Sequence, residues 1–513
     1  MLYLTGIFWL KEAVMEKSII IIGGGLTGLA LGCYGRMNGY KTSIFEMHDK
    51  AGGVCTGWKR KGYTIDGAMN WLVGTSPKNS FHKFWEELGA APNWNIYNHD
   101  LYFVYEDKDG KAFNVYCDAD RFEQYLLELA PEDKDVINEF TKGIRGFSRF
   151  DMPTGKPNEL NNWFDKMKTV KMLPMMMLMR KWLKISAGDF VKRFKNPYLR
   201  QTLTSAFGGD QWPMMMIFWV LGFQHAKAAG YVMGGALELV RFLEERYRAL
   251  GGEIQFKARV DKILVENDKA AGIKLADGTE HRADWVVSAA DGHATIFDML
   301  EGKYIYEELK SRYDNPKLMA PLVYVGLGVA DPVREIPPAL GGLSFPLVTP
   351  VTVAGKEHDR LNVRTYCWDP AMSPEGKTVA IVQFETDYDY WEKLSKEPEK
   401  YKAEKERIAD NIVTALDKRF PGIASKVEMR DVATPMTWVR YTGNWRGSYE
   451  GWMFSAESFT GSMKKTLPGL DNFYMAGQWV NPGGGMPTAA MSGRQTIQMI
   501  CNKDRKKFVT TKP

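Results

Sequence analysis

Three glycines and one acid near the start of this 513-residue chain carry its clearest chemistry. Gly23, Gly25 and Gly28 stand as Gly-x-Gly-x-x-Gly, with Leu26 and Thr27 completing the loop. Glu46 follows at about the 20-residue distance at which a carboxylate reaches a ribose. Gly23 permits a tight turn, Gly25 lets backbone approach a pyrophosphate, and Gly28 lets a helix close on a strand. Free N–H groups and the positive end of the helix dipole attract the phosphates. The chemistry implied is recognition of a dinucleotide. Alone, the same loop could be a glycine-rich turn that binds nothing.

The elements that must hold these residues are legible. Residues 18–22 (SIIII) are a continuous β-branched run, which suits a strand buried on both faces. Residues 26–37 continue as a helix, with Gly32 one turn beyond Gly28. Residues 41–45 form a second strand that ends at Glu46. Shortly beyond lies Gly52-Gly53, whose backbone N–H groups can meet a second phosphate; a loop needing positive φ is the plainer reading. Residues 63–67 (YTIDG) read as a short strand entering a turn.

Farther along, residues 101–116 alternate around Asp109-Gly110 and predict a hairpin. Residues 121–147 read as helical, with a break near Pro131. Residues 162–184 set basic residues around a Met-rich core that Pro174 interrupts; this is either an amphipathic element at a membrane interface or a core helix with a solvated basic face. Residues 214–223 (MMMIFWVLGF) are too short to span a bilayer and either line an apolar tunnel or fill core. A helix over 236–250 leads into strands at 254–256, 260–266, 272–275 and 285–290. Strands are expected at 318–329, 361–368 and 378–384, and a helix at 404–420. Residues 433–452 (ATPMTWVRYTGNWRGSYEGW) are unusually dense in Trp, Tyr, Arg and Gly. Arg440 and Tyr441 are the candidate catalytic residues there, with Trp445 and Tyr449 as pocket candidates. His225 is read as structural.

Bulk properties exclude several classes. The 67 basic and 62 acidic residues leave a charge of +5, too balanced to argue for nucleic acid. Five cysteines without a CxxC give no disulfide framework or zinc site and fit a reducing, cytoplasmic location. Seven histidines without HxH or HExxH spacing give no metal site. Met1–Val14 has an apolar part too short to cross a bilayer and no cleavage site, so it is expected to be a frayed extension, with Met15 the true start, or else an interfacial anchor.

The series Gly-x-Gly-x-x-Gly, Glu46, Gly52-Gly53 and Asp66-Gly67 resembles the flavin-containing amine oxidase superfamily. Within it the chain most resembles the phytoene desaturase, carotenoid isomerase and retinol saturase branch, over residues 18–503. The resemblance implies FAD and an α/β fold: a Rossmann-like FAD-binding domain of GR2 type, interleaved with a substrate domain of antiparallel sheet plus helices. The implied division is an extension at 1–17, an FAD domain from 18–90, 231–300 and 465–503, and a substrate domain from 91–230 and 301–464. It implies that Val260 meets the adenine through its backbone. It also implies a second FAD segment at Gly477, Gln478, Gly485 and Met486. The family usually carries Gly-Asp there, so Gln478 removes a charge but keeps a hydrogen-bonding group.

The implied activity is FAD-dependent desaturation, saturation or isomerisation of C=C bonds in an apolar isoprenoid or carotenoid-like lipid, with the membrane surface as a further partner. Two other readings stay open: an amine oxidase-type enzyme, and a non-catalytic GDI-like lipid carrier that Gln478 alone supports. The direction of the redox reaction and the electron acceptor are left open between quinone, oxygen and NAD(P).

Overall fold

Ser18–Ile22 is the middle strand of a five-stranded parallel sheet. The order is Phe473–Met475, Trp285–Ser288, Ser18–Ile22, Lys41–Phe45, Glu253–Gln255. Every neighbouring pair is parallel, with Ile19 opposite both Thr42 and Trp285. Segments distant in the chain therefore close one sheet. The computed structural model describes residues 16–149, 151, 154–163, 173–453, 463–481, 483 and 485–513. The expected extension at 1–14 lies outside these residues, as does the centre of the basic Met-rich run at 164–172.

Helix Leu26–Met37 is covered on two sides by other helices at close range. A Cβ on Gly32 would stand 2.5 Å from the Tyr247 ring of helix Gly235–Ala249. A Cβ on Gly493, in helix Gly485–Lys503, would stand 2.8 Å from the Thr27 carbonyl oxygen. Small residues at these crossings bring both helices onto the strand layer, and the C-terminal helix is thereby locked to the first.

A seven-stranded sheet forms the second layer, in the order Val427–Ala433, Leu322–Val329, Thr378–Glu385, Lys356–Thr365, Leu343–Val353, Leu101–Glu106, Ala112–Tyr116. It is antiparallel except where Leu343–Val353 runs parallel to Leu101–Glu106. The period of two along Leu322–Val329 sorts its side chains. Val323, Val325, Leu327 and Val329 join Ile408, Ile412 and Leu416 of helix Pro398–Arg419 in one core. On the other face Tyr324 donates to the Gly67 carbonyl at 2.9 Å, while Gly326 and Gly328 make room for Ile65 and Tyr63. Strand Tyr63–Asp66 thus rests on this sheet and ties it to the nucleotide side.

Several boundaries differ from expectation for local reasons. Strand Leu343–Val353 went unforeseen because Pro346 and Pro350 interrupt its pattern; the ladder tolerates them through a register shift between Pro346 and Val351. Asn267 and Asp268, both at positive φ, turn Val260–Glu266 straight back into Lys269–Leu275, so the hairpin starts earlier than Gly272. Helix Pro398–Arg419 begins at its proline, where the missing N–H costs nothing. Among the described residues no helix is long and apolar enough to cross a membrane.

Candidate active site

The glycine loop has the backbone its sequence demands. Gly23 sits at φ +95° and donates its N–H to the Phe45 carbonyl at 2.8 Å, joining the loop to the end of the second strand. Gly25 caps helix Leu26–Met37 without a side-chain bond, so the first N–H groups remain for a ligand. A Cβ on Gly28 would come within 2.0 Å of the Gly23 carbonyl oxygen, so only glycine lets the helix lie this close. Gly52 donates to the Gly24 carbonyl at 2.9 Å, and Gly25 and Gly52 pair as a parallel bridge. Gly52 at φ +125° and Gly53 at φ +58° hold that second loop against the first.

Glu46 closes this end. Its Oε2 accepts from the Gly24 N–H at 2.6 Å and its Oε1 from the His48 N–H at 2.8 Å. Burial raises its carboxyl above the usual range, and the backbone donors at His48 and Gly24 pull it back. Each oxygen keeps a lone pair for a further donor.

These residues open onto a cavity of about 1820 Å³. Gly23, Gly25, Leu26, Thr27, Glu46, Gly52, Gly53 and Val260 line it, and so do Gly477, Gln478, Gly485 and Met486. Gly28 does not; it lies beneath the loop, packed on Gly23. Arg440 reaches the wall. Tyr441 is not in the wall: it is the next residue on helix Pro435–Thr442, projects to a different side, is exposed, and meets His48 edge-on at 5.1 Å. Trp445 also lies off the wall, stacked on His293 at 4.8 Å, whereas Tyr449 lines it. His225 accepts the Ala119 N–H at 3.1 Å and is not one of the lining residues.

The C-terminal wall is hydrogen-bonded from within. Gly477, at φ +96°, donates its N–H to Ser492 Oγ at 2.9 Å. Gln478 Nε2 donates to Asn444 Oδ1 at 3.1 Å, and Trp479 Nε1 donates to the same oxygen at 3.2 Å. Helix Gly485–Lys503 starts three residues before its expected start at 488 and directs its N-terminus at the cavity through Gly485 and Met486.

A different part of the wall is apolar. Helix Met214–His225 contributes Met216, Trp219, Val220 and Phe223, spaced as one helical face. Its opposite side, with Met215, Phe218 and Leu221, packs into a helical core with Phe140 and Phe147. The apolar run 214–223 on both sides of this helix is thus explained: one side is core and the other lines space. Trp71 and Val73, Met176 and Met179 of helix Leu173–Leu183, and Leu322 complete this region.

Among the polar lining residues that sequence reasoning missed are Asp291, Asn444 and Glu450. Asp291 is buried after strand Trp285–Ser288 and accepts from the Ala294 and Trp445 N–H groups, each at 2.8 Å. Burial pushes its carboxyl up to about 7 despite these donors. An Asp-Gly step directly after a buried strand was the available signal. Asn444 and Glu450 sit in the aromatic segment, where nothing in their spacing marks them.

The donor set fits FAD. The glycine cradle would hold the pyrophosphate, Glu46 the adenosine ribose, and the Val260 backbone the adenine side. By the family resemblance, Gln478 and the helix N-terminus at Gly485 and Met486, which line the same cavity, would face the flavin end. Gln478 offers an amide in place of the family's acid.

Residues 26–500 match the family described as flavin containing amine oxidoreductase. The chain is similar to prolycopene isomerase 2, chloroplastic, of an Oncidium hybrid cultivar, 26% identical over 505 residues that cover 94% of this chain and 83% of that one. It is similar to phytoene desaturase (neurosporene-forming) of Rhodobacter capsulatus, 24% identical over 94% of this chain and 93% of that one. Among solved structures, an oxidoreductase from Methanosarcina mazei superposes with a TM-score of 0.59 at 18% identity, over 94% of this chain and 100% of that one, a likeness of fold alone.

Proposed function

The chain belongs to the flavin containing amine oxidoreductase family, and from that premise we propose that it is an FAD-dependent oxidoreductase acting on C=C and C–C bonds of an apolar, carotenoid-like isoprenoid. The observation that carries this reading is the single cavity that joins the glycine cradle to an apolar wall of Met216, Trp219, Val220 and Phe223. Bound FAD supplies a two-electron acceptor or donor for hydride. The protein's part is to bind, orient and keep water out. Glu46 and the glycine loop fix one end of the cofactor. The unbranched methionines adapt to a long, smooth ligand, and the tryptophans offer flat faces to a polyene. A small charged amine would leave this wall without a partner.

Lipid entry is assigned to helix Leu173–Leu183. Met176 both lines the cavity and is 49% exposed, and Leu173 and Met177 are exposed beside it. Arg180 and Lys181 follow in the last turn. An apolar edge with adjacent cations suits the surface of an anionic bilayer, from which an isoprenoid would pass directly to the cavity. The test is to load the protein with FAD and supply phytoene and prolycopene in vesicles. A change in polyene length or geometry supports the reading; FAD-loaded protein that leaves both unchanged opposes it.

A further inference from the structure

Among the described residues, the Glu450 carboxyl has no partner. It lines the cavity in the turn after Tyr449 and is partly buried. No hydrogen bond or ion pair joins it to any described residue. Three of the other carboxyls that line the cavity are engaged: Glu46 by Gly24 and His48, Asp291 by Ala294 and Trp445, and Glu159 by Lys465 at 3.3 Å. Its place is also particular. Glu450 Oε1 lies 3.5 Å from where a Cβ on Gly485 would stand, and a Cβ on the next residue, Gly451, would stand 3.5 Å from Gln478 Cγ. The free carboxyl therefore sits where the aromatic segment meets both parts of the C-terminal cofactor wall.

We propose that Glu450 is the proton-transfer residue for C=C chemistry in this cavity, an assignment that rests on the function proposed above. In the desaturating direction, one C–H bond breaks and its hydrogen leaves with the electron pair, as hydride, to the oxidised flavin. The C–H bond on the adjacent carbon breaks so that its electrons become the new π bond, and its proton passes to the Glu450 carboxylate. The substrate loses two electrons, the flavin gains two, and the proton is on Glu450. In the saturating direction the same carboxyl returns it.

The surroundings suit a group that must hold and release a proton. Burial raises the Glu450 carboxyl above the usual range, with no cation beside it to reverse the shift. Tyr449, on the same segment, is held protonated mainly by burial. Arg440 lines the cavity from helix Pro435–Thr442, Gln478 faces the turn as a neutral amide, and the helix N-terminus at Gly485 supplies a partial positive charge.

The test compares FAD-loaded wild-type protein, E450Q and E450D. Infrared titration of carboxyl groups is the readout independent of turnover, and phytoene in phosphatidylcholine vesicles is the substrate probe. The assignment predicts a protonated carboxyl that titrates above the ordinary glutamate range and is missing in E450Q. It also predicts flavin loading unchanged, a rate about 100-fold lower or more in E450Q, and partial recovery in E450D. Wild-type turnover with E450Q equally fast, or with the titrating band still present in E450Q, overturns the assignment while leaving the function intact. Wild-type protein that binds FAD and leaves phytoene and prolycopene unchanged removes the functional reading itself.

Discussion

Gly477, near the end of the chain, stands against Thr27, near its start: a Cβ on Gly477 would come within 3.2 Å of Thr27 Oγ1. Thr27 in turn donates to the Ala489 carbonyl at 3.1 Å. The first turn of the first helix and the first turn of the last helix are thus held together, with the cavity beside both. A cofactor cradle built from opposite ends of a chain needs such a contact to set its width. Gly477 also sits at φ +96°, so a side chain there meets strain as well as Thr27.

The glycines of the first loop separate fold from binding. Gly28→Ala drives a Cβ to 2.0 Å from the Gly23 oxygen, and is expected to destabilise the apoprotein by about 1–3 kcal/mol. Gly25→Ala meets only ordinary contacts at 3.7 and 3.8 Å, from Gly52 and Gly53. It is expected to leave unfolding of the apoprotein nearly unchanged while lowering flavin content, because the new methyl group occupies the approach of the pyrophosphate. Denaturant melts and flavin-to-protein ratios on both variants check this.

Asp291 makes stability depend on pH. Its carboxyl is raised in the folded state to about 7 by burial, from an ordinary value near 3.8. Between those values the native state binds more protons than the unfolded chain, so stability falls as pH rises from about 4 to 7. Asp291→Asn removes this contribution. Its stability is expected to lose less over that window than the wild type's, by an amount on the order of a few kcal/mol. Urea melts at pH 4.5 and 7 give the two slopes directly.

A buried ion pair anchors the last helix. Glu87 Oε2 accepts from the Tyr34 hydroxyl at 2.8 Å and from Arg494 Nε at 3.2 Å. Both charged side chains are nearly inaccessible, and Arg494 also donates to the Gly155 carbonyl beside the cavity. Arg494→Met removes the buried cation from Glu87 and leaves it only the exposed Lys83 ammonium at 3.7 Å, with an expected loss of about 3 kcal/mol. Adding Glu87→Gln is expected to recover part of it. Thermal unfolding of the single and double variants measures the coupling.

Val220 tests the apolar wall. It lines the cavity from the same helical face as Met216 and Phe223. Val220→Trp fills substrate space without touching the glycine cradle. Turnover of a long polyene is expected to fall at least about 10-fold, with flavin content unchanged. Steady-state assays with a flavin absorbance reading on the same sample decide it.

The nucleotide-binding half was legible because its chemistry is local. Strand, loop, helix and acid from Ser18 to Glu46 follow one another directly, and the observed strands and helix have the expected bounds. The packing role of Gly28 could be read from spacing alone. The other half depends on contacts between distant segments. Pro346 and Pro350 hid the strand Leu343–Val353. Tyr441 looked equivalent to Arg440 until the helix showed that neighbours face different sides. Glu450 and Asn444 acquire meaning only where residues 444–451 fold back on Gln478 and Gly485. Sequence names the residue types of such a wall; only the fold shows which of them share it.

The most direct test of the account is anaerobic mixing of the FAD-loaded protein with phytoene and prolycopene in vesicles, beside a panel of amines. The flavin spectrum and the polyene products are followed together, with the flavin oxidised in one set and reduced in another. The account predicts a polyene that gains, loses or rearranges double bonds in at least one flavin state, with no response to amines. Flavin reduced by an amine while both polyenes stay unchanged in either state would contradict it.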